Sequence, residues 1–297
     1  MSAASTLGFD PMDHEFRPCP LDGSRSPCPA LNALANHGFI SRRGRRLSFF
    51  EVVGAIVLVY NLSYPLACLL TLAGFITCGR VSLWRRPSIP RWKHSSFLLW
   101  LLIPLLLPIK VALCFVPRFL LDLSSLSRRG TLKIAHDASF VHPNSVPSVA
   151  PDPTLLMDLL EYSSGRRDID GTFRGGLGLI DIARFHARRV DLAPHPLSDF
   201  HLQISLGECA LTWEVLRGHQ CYTGSEEHDR RACMLKGRVN GVVPVTRLQQ
   251  WFGEERLPDG WWDVGGVRPR RPVGIIRARF VANFIGALAL KSSRSKP

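Results

Sequence analysis

Apolar residues recur at helical spacing along most of the chain. Leu31 to Ala35 starts a short helical pattern that Gly38 ends. Ser48 to Thr77 is apolar and helical, broken near Pro65, and the stretch Val52 to Cys78 reads as a buried helix pair. Thr154 to Ser163 carries Leu155, Leu156, Leu159 and Leu160 in a helical pattern, with Asp152 as its cap. Leu177 to Val190 is amphipathic and ends in Arg188 and Arg189, which suit the negative end of a helix dipole. Asp199 is expected to cap a helix from His201 to Leu216 that Gly218 closes; Val245 to Phe252 and Ile275 to Leu288 complete the set. Strand patterns are few and short, and there is neither a repeat nor a heptad pattern. The class predicted is mainly α, with residues 1–297 as a single domain.

One apolar stretch does not fit that scheme. Phe97 to Pro117 is almost wholly apolar, with Lys110 as its one charge, and Pro104 and Pro108 interrupt it. Its length could just cross a bilayer, but the prolines predict a kink or two short pieces. The chain holds 37 Lys+Arg against 24 Asp+Glu, a formal charge of +13. The excess gathers at Arg42, Arg43, Arg45 and Arg46, at Arg80, Arg85, Arg86, Arg91 and Lys93, and at Arg268, Arg270 and Arg271. A cationic flank beside an apolar run predicts contact of residues 80–117 with a membrane surface. Trp84 and Trp92 interleave with arginines, but no nucleic-acid motif accompanies them, so no nucleic-acid partner is expected.

With 46% hydrophobic and 21% charged residues, the chain is neither a disordered tail nor a collagen-like fibre. Met1 to Phe16 has no basic start and no apolar centre, so the expectation is no signal peptide and an intracellular, reducing compartment. Eight cysteines are too sparse for a disulfide scaffold and show no zinc-ligand spacing. Cys28 stands apart, in Pro27-Cys28-Pro29-Ala30-Leu31-Asn32. Pro29 suits the first position of a helix, which places Cys28 at the N-cap and turns the Ala30 and Leu31 N–H groups toward the sulfur. That predicts a lowered thiol pKa and a held thiolate, the kind of ligand a haem-thiolate iron requires. The bland alternative is a cysteine in a Pro-rich turn. Cys19, also between prolines, is followed by Leu21-Asp22-Gly23, a turn, and is taken as incidental.

Ser24 to Ile40, SRSPCPALNALANHGFI, closely resembles the signature of the fungal haem-thiolate peroxidases, the chloroperoxidase and unspecific peroxygenase family. The resemblance implies a haem-enclosing helical domain of chloroperoxidase type, haem b as cofactor, and Cys28 as its proximal axial iron ligand, with Pro29, Ala30 and Leu31 beside it. Ala135-His136-Asp137-Ala138-Ser139 resembles the family's Glu-His-Asp-x-Ser segment. There the leading Glu helps to bind a cation near a haem propionate. Ala135 removes that carboxylate, so no second cation is expected. Leu206-Gly207-Glu208-Cys209-Ala210-Leu211 resembles the element carrying the family's distal acid–base Glu, which assigns that role to Glu208. A lone carboxylate beside Ile204, Leu211 and Val215 is costly unless paired or working, and a structural ion pair is the plain alternative. By the same resemblance His136 orients Glu208, and Asp137 fixes the tautomer of His136. Trp251 to Trp261 resembles the family's Glu-Arg-Leu-Pro element, read as packing.

The resemblance runs from about Phe16 to about Ala287, except for Arg80 to Phe115, which has no counterpart. If Cys28 and Glu208 serve two faces of one haem, the membrane spans between them number zero or two, and zero is expected. Residues 97–117 then dip into one leaflet or line the pocket entrance. The activity implied is peroxidase or peroxygenase chemistry, with hydrogen peroxide and a small, lipophilic organic substrate to be oxidised, oxygenated or halogenated. Two alternatives stay open: a haem-thiolate protein of biosynthetic oxidation that uses no peroxide, and a non-catalytic membrane-associated protein.

Overall fold

The computed structural model describes residues 11–82, 118–164, 175–217, 242–263 and 266–294. Its helices are α1 (Pro29–Asn36), α2 (Phe49–Tyr60), α3 (Tyr64–Cys78), α4 (Pro153–Ser164), α5 (Leu179–Asp191), α6 (Asp199–Leu216), α7 (Val245–Leu248) and α8 (Ile275–Arg294). A π-helical turn, Gln249–Gly253, continues α7. Two short antiparallel pairs complete the described part: β1 (Arg80–Ser82) with β2 (Arg118–Leu120), and β3 (Gly176–Leu177) with β4 (Val243–Pro244). The protein is mainly α.

Local chemistry sets most helix ends. Ser48 and Glu51 close a reciprocal capping box: the Glu51 N–H donates to Ser48 Oγ, and the Ser48 N–H donates to Glu51 Oε2 at 3.3 Å. Asn61 ends α2 in the left-handed region at φ 50°, which Asn tolerates better than most residues. Its side chain donates to the Pro269 carbonyl at 2.8 Å, tying this turn to the C-terminal part. The break between α2 and α3 therefore falls at Asn61 to Ser63, ahead of Pro65, which sits in the first turn of α3. Asp152 caps α4, accepting from the Thr154 and Leu155 N–H groups at 2.8 and 3.1 Å.

Three expectations are corrected in detail. Ser198, not Asp199, is the N-cap of α6: its hydroxyl accepts from the His201 N–H at 3.3 Å, and Asp199 is the first helical residue. Leu177 belongs to β3, so α5 starts two residues later than its amphipathic pattern suggested. Helix α8 continues beyond Leu288 to Arg294. Gly218 lies outside the described residues.

Two helix assemblies frame the molecule. Helices α2 and α3 pack together, while α8 lies against both α5 and α6. At the α6–α8 crossing a Cβ on Gly286 would sit 3.2 Å from Leu206, so glycine lets the helices approach. Glu214, buried on α6, pairs with Arg277 of α8 at 2.8 Å and with Arg217 at 3.2 Å. One contiguous core of buried side chains joins residues from Ala33 to Ala289, with Phe75, Phe185, Trp213 and Ile285 fully enclosed.

Arg80 pairs with Leu120 across β1 and β2, so the ends flanking residues 83–117 lie side by side. The apolar run Phe97 to Pro117 falls outside the described residues. Among the described residues no helix is long and apolar enough to cross a membrane. Helix α3 leaves Tyr64, Leu69, Leu72 and Ile76 exposed, and the neighbouring strands leave Val81 and Phe119 exposed.

Candidate active site

Cys28 sits at the N-cap of α1 in an extended conformation, φ −94° and ψ 107°. The following Pro29 enforces this, because a residue before proline is excluded from the helical region. The Cys28 N–H donates to Ser26 Oγ at 3.2 Å. Asn32, fully buried one turn along, locks Ser26 in place: its Oδ1 accepts from the Ser26 N–H at 2.9 Å and its amide donates to the Ser26 carbonyl at 2.7 Å. From the far side Tyr60 donates through its hydroxyl to the Ala30 carbonyl at 2.6 Å. Pro29, Ala30 and Leu31 thus form a first helical turn braced at both ends.

The Leu31 and Ala30 amides face the Cys28 sulfur and pull its pKa down, although neither closes a full cap hydrogen bond. They do not win. Burial pushes the thiol up to about 11, helped by the charges of Glu208 and Glu255. The predicted lowering is corrected here, because desolvating an anion outweighs two oriented amides. A sulfur so placed becomes a stable thiolate only beside a cation. Its amides already suit the anionic form, which is the donor chemistry of a metal-bound thiolate.

Glu208 projects from α6, and its charge bears on the Cys28 thiol. The Glu208 carboxylate is 52% exposed, whereas the His136 ring that holds it is 3% exposed; His136 Nε2 lies 3.3 Å from Glu208 Oε2. Burial opposes charge on His136. The Glu208 charge and hydrogen bond, with a contact to the Asp137 carbonyl, outweigh burial and raise its pKa.

Asp137 meets His136 through its main chain, not its carboxylate. The His136 Nδ1–H donates to the Asp137 carbonyl, which leaves Nε2 for Glu208. The Asp137 carboxylate points elsewhere, to the Arg129 guanidinium and to the Ser145 N–H and hydroxyl. Ala138 (φ 65°) and Ser145 (φ 57°) take left-handed conformations that bend this loop sharply. Arg189, buried on α5, pins it by donating to the Ser139 carbonyl at 2.7 Å, to the His142 carbonyl at 3.2 Å and to Asn144 Oδ1 at 3.2 Å. Ala135 forms a β-bridge with Arg129 on the way in. Among the described residues, no three His, Cys, Asp or Glu side chains converge as a metal-ion site.

Two further buried histidines lie within the Glu208 charge. His186 donates through Nε2 to Ser205 Oγ at 2.9 Å, and Ser205 stands three residues before Glu208 on α6. His142 Nδ1 lies 3.2 Å from Ser148 Oγ. Burial pushes both down to about 4, so they stay neutral near neutral pH. Of the residues the sequence singled out, His136 and Glu208 meet directly, and the Glu208 charge acts on the Cys28 thiol. The sequence pattern missed Tyr60, His186 and Arg189, whose partners lie 19 to 50 residues away, and Arg129, whose partners Asp137 and Pro143 lie in the same irregular stretch. Asn32 was within the recognised segment, but its helical position alone did not mark it as a bracket.

Stretches of this chain are similar to known peroxidases. Over 78 residues, 24% of this chain and 18% of the relative, it is 44% identical to the aromatic peroxidase fscJ of Fusarium equiseti. Over 81 residues, 26% of this chain and 21% of the relative, it is 40% identical to the chloroperoxidase of Leptoxyphium fumago. Over 69 residues, 23% of this chain and 26% of the relative, it is 35% identical to the aromatic peroxygenase of Coprinellus radians. Each likeness therefore spans only a fifth to a quarter of the relative's own length. The family model described as "Peroxidase, family 2" reaches much further, matching residues 14–264, which include Cys28, His136, Glu208 and the turn at Glu255. The chain belongs to peroxidase family 2.

Proposed function

We propose that this protein is a haem-thiolate peroxidase or peroxygenase that uses hydrogen peroxide to oxidise, oxygenate or halogenate a lipophilic organic substrate. One observation carries the reading: a cysteine at a helix N-terminus lies within the charge of a carboxylate that is held by a buried histidine. The family and the peroxidase and peroxygenase names of the relatives support its peroxide-using part.

Haem b, when bound, supplies the redox chemistry. The chain's own residues do the rest. Cys28 Sγ would hold the haem iron as a thiolate, with the Ala30 and Leu31 amides directed at its charge. Glu208 Oε2 takes a proton from hydrogen peroxide and returns it to the departing oxygen, as general base and then general acid. His136 holds Oε2 in place from a buried position, and its Nδ1–H is anchored by the Asp137 carbonyl. Glu208 is open enough to meet a small oxidant, while His136 is not.

The same reading takes residues 1–297 as one haem-enclosing unit and residues 80–117 as an addition that meets a membrane surface or lines the pocket mouth. What supports that addition is the exposed apolar face of α3 with Val81 and Phe119 at its base. Flotation with anionic but not neutral vesicles is the expected result, and no flotation with either removes the membrane contact.

The decisive test is the absorption spectrum of the reduced, carbon-monoxide-bound protein. A thiolate-type Soret band is expected, and Cys28→Ala abolishes it. Glu208→Gln keeps the band and loses peroxide turnover by about 10²- to 10⁴-fold. Full turnover in Glu208→Gln removes the acid–base assignment. Preserved haem without peroxide turnover in the unaltered protein selects a non-peroxide biosynthetic oxidation. No haem at all leaves a non-catalytic membrane-associated protein.

A further inference from the structure

Glu255 stands just beyond the π-helical turn with φ 52°, a left-handed conformation that glycine or asparagine would adopt at less cost. A charged, half-buried residue at such a position needs a reason. Its side chain is aimed at α1, the helix that Cys28 opens. Asn32 Nδ2 donates to Glu255 Oε1 at 2.6 Å, and Asn36 Nδ2 donates to the Glu255 carbonyl at 3.0 Å. Two residues on, the Leu257 N–H donates to His37 Nε2 at 3.1 Å. The turn is therefore docked along the whole helix, and strain at one residue is held by three contacts.

The carboxylate is one step from the cysteine's own bracket. The same Asn32 amide that meets Glu255 also donates to the Ser26 carbonyl, and Asn32 Oδ1 accepts from Ser26. Ser26 Oγ in turn accepts from the Cys28 N–H. Arg25, buried beside them, is spent on Asn36: its Nε and Nη2 donate to Asn36 Oδ1 at 3.1 and 2.6 Å. Arg25 offsets the Glu255 charge but does not ion-pair with it. Burial raises the Glu255 pKa, while the Asn32 hydrogen bond and the Arg25 charge pull it back. Packing alone does not require this arrangement, since a neutral amide could accept from Asn32 equally well.

We propose that Glu255 is the tuning residue for Cys28: its carboxylate, bracketed to the cysteine through Asn32 and Ser26, strengthens electron donation from Cys28 Sγ. This rests on the haem-thiolate reading above. The sign follows from electrostatics. A negative charge near the sulfur disfavours further negative charge there, so the thiolate gives more to a cation it binds. The more highly charged ferric state gains most, and the ferric/ferrous potential is held low. The Ala30 and Leu31 amides act in the opposite direction, and Glu255 offsets them.

The test is a spectroelectrochemical titration of the haem-loaded protein at mildly alkaline pH. Glu255→Gln keeps the amide-accepting oxygen and removes only the charge. It is expected to keep the thiolate-type carbon-monoxide spectrum while its potential moves positive of the unaltered protein. Glu255→Asp, with its charge withdrawn by one methylene, moves the same way by less. It is read on its own if Glu255→Gln takes up no haem. A potential unchanged from the unaltered protein, in Glu255→Gln or in Glu255→Asp read alone, overturns the proposal and leaves Glu255 as packing. Failure of the underlying reading looks different, because the unaltered protein itself then lacks the thiolate-type band.

Discussion

Glu208 and His136 divide one task unequally. The carboxylate is half open to its surroundings, and the imidazole behind it is enclosed. A flexible, exposed carboxylate has several rotamers, so its placement depends on the ring that holds it. Under the proposed mechanism His136, enclosed behind Glu208, would act as a positioning residue. His136→Phe keeps the ring's bulk but withdraws the hydrogen bond. It is expected to lower peroxide turnover by about 10²-fold with the haem spectrum unchanged. It should also change the pH–rate profile, since it removes an imidazole whose pKa Glu208 raises. A uniform loss with an unchanged pH profile would instead indicate a structural defect. Cys28 illustrates how far such roles are legible in sequence. Its N-cap geometry follows from Pro29 alone, because proline acts on its immediate neighbour. Its pKa does not follow, because desolvation and the charges of Glu208 and Glu255 arrive from segments far along the chain.

Elements were legible where their signals are local and illegible where distant partners decide. The capping residues Asp152 and Ser48 act within three residues of themselves, and α2 and α4 begin beside them. The segment from His136 to Ser145 has no period to read. Its shape comes from Arg129 and Arg189, with left-handed turns at Ala138 and Ser145 that no hydrophobic pattern announces. The α6–α8 junction is similar: Glu214 looks like one more helical glutamate, yet it is 4% exposed and sits between Arg217 and Arg277. Removing it deletes both ion pairs, although both arginines retain some access to water. Glu214→Ala is therefore expected to destabilise the protein by about 2–3 kcal/mol, below the full penalty of breaking an enclosed pair. Urea unfolding checks this as a lowered midpoint with an unchanged slope. Because α6 also carries Glu208, a looser α6–α8 contact would reach that carboxylate as well.

At the scale of the molecule, acid is the condition to which this fold is most exposed. His142 and His186 are buried neutral, each pushed down to about 4 from an ordinary value near 6.5. Unfolding lets both rings take protons that the folded state refuses. Their contribution is intact above the unfolded value and is lost as pH falls from about 6.5 toward about 4. Each loss is on the order of 3 kcal/mol. His136 has the opposite sign: its pKa is raised by Glu208, so its contribution is complete below the unfolded value and fades as pH rises through the folded one. Stability is thus expected to decline steeply on the acid side and gently on the alkaline side. The formal charge of +13 adds repulsion on acidification, so an acid limb by itself does not identify the histidines. A difference measurement does. The double variant His142→Gln, His186→Gln keeps hydrogen-bonding side chains at both sites and shares the background repulsion. Urea titrations from neutral to acid pH should give it a flatter acid limb than the unaltered protein, even if it is less stable at neutral pH. Two curves that stay parallel throughout would show that neither imidazole governs the acid response.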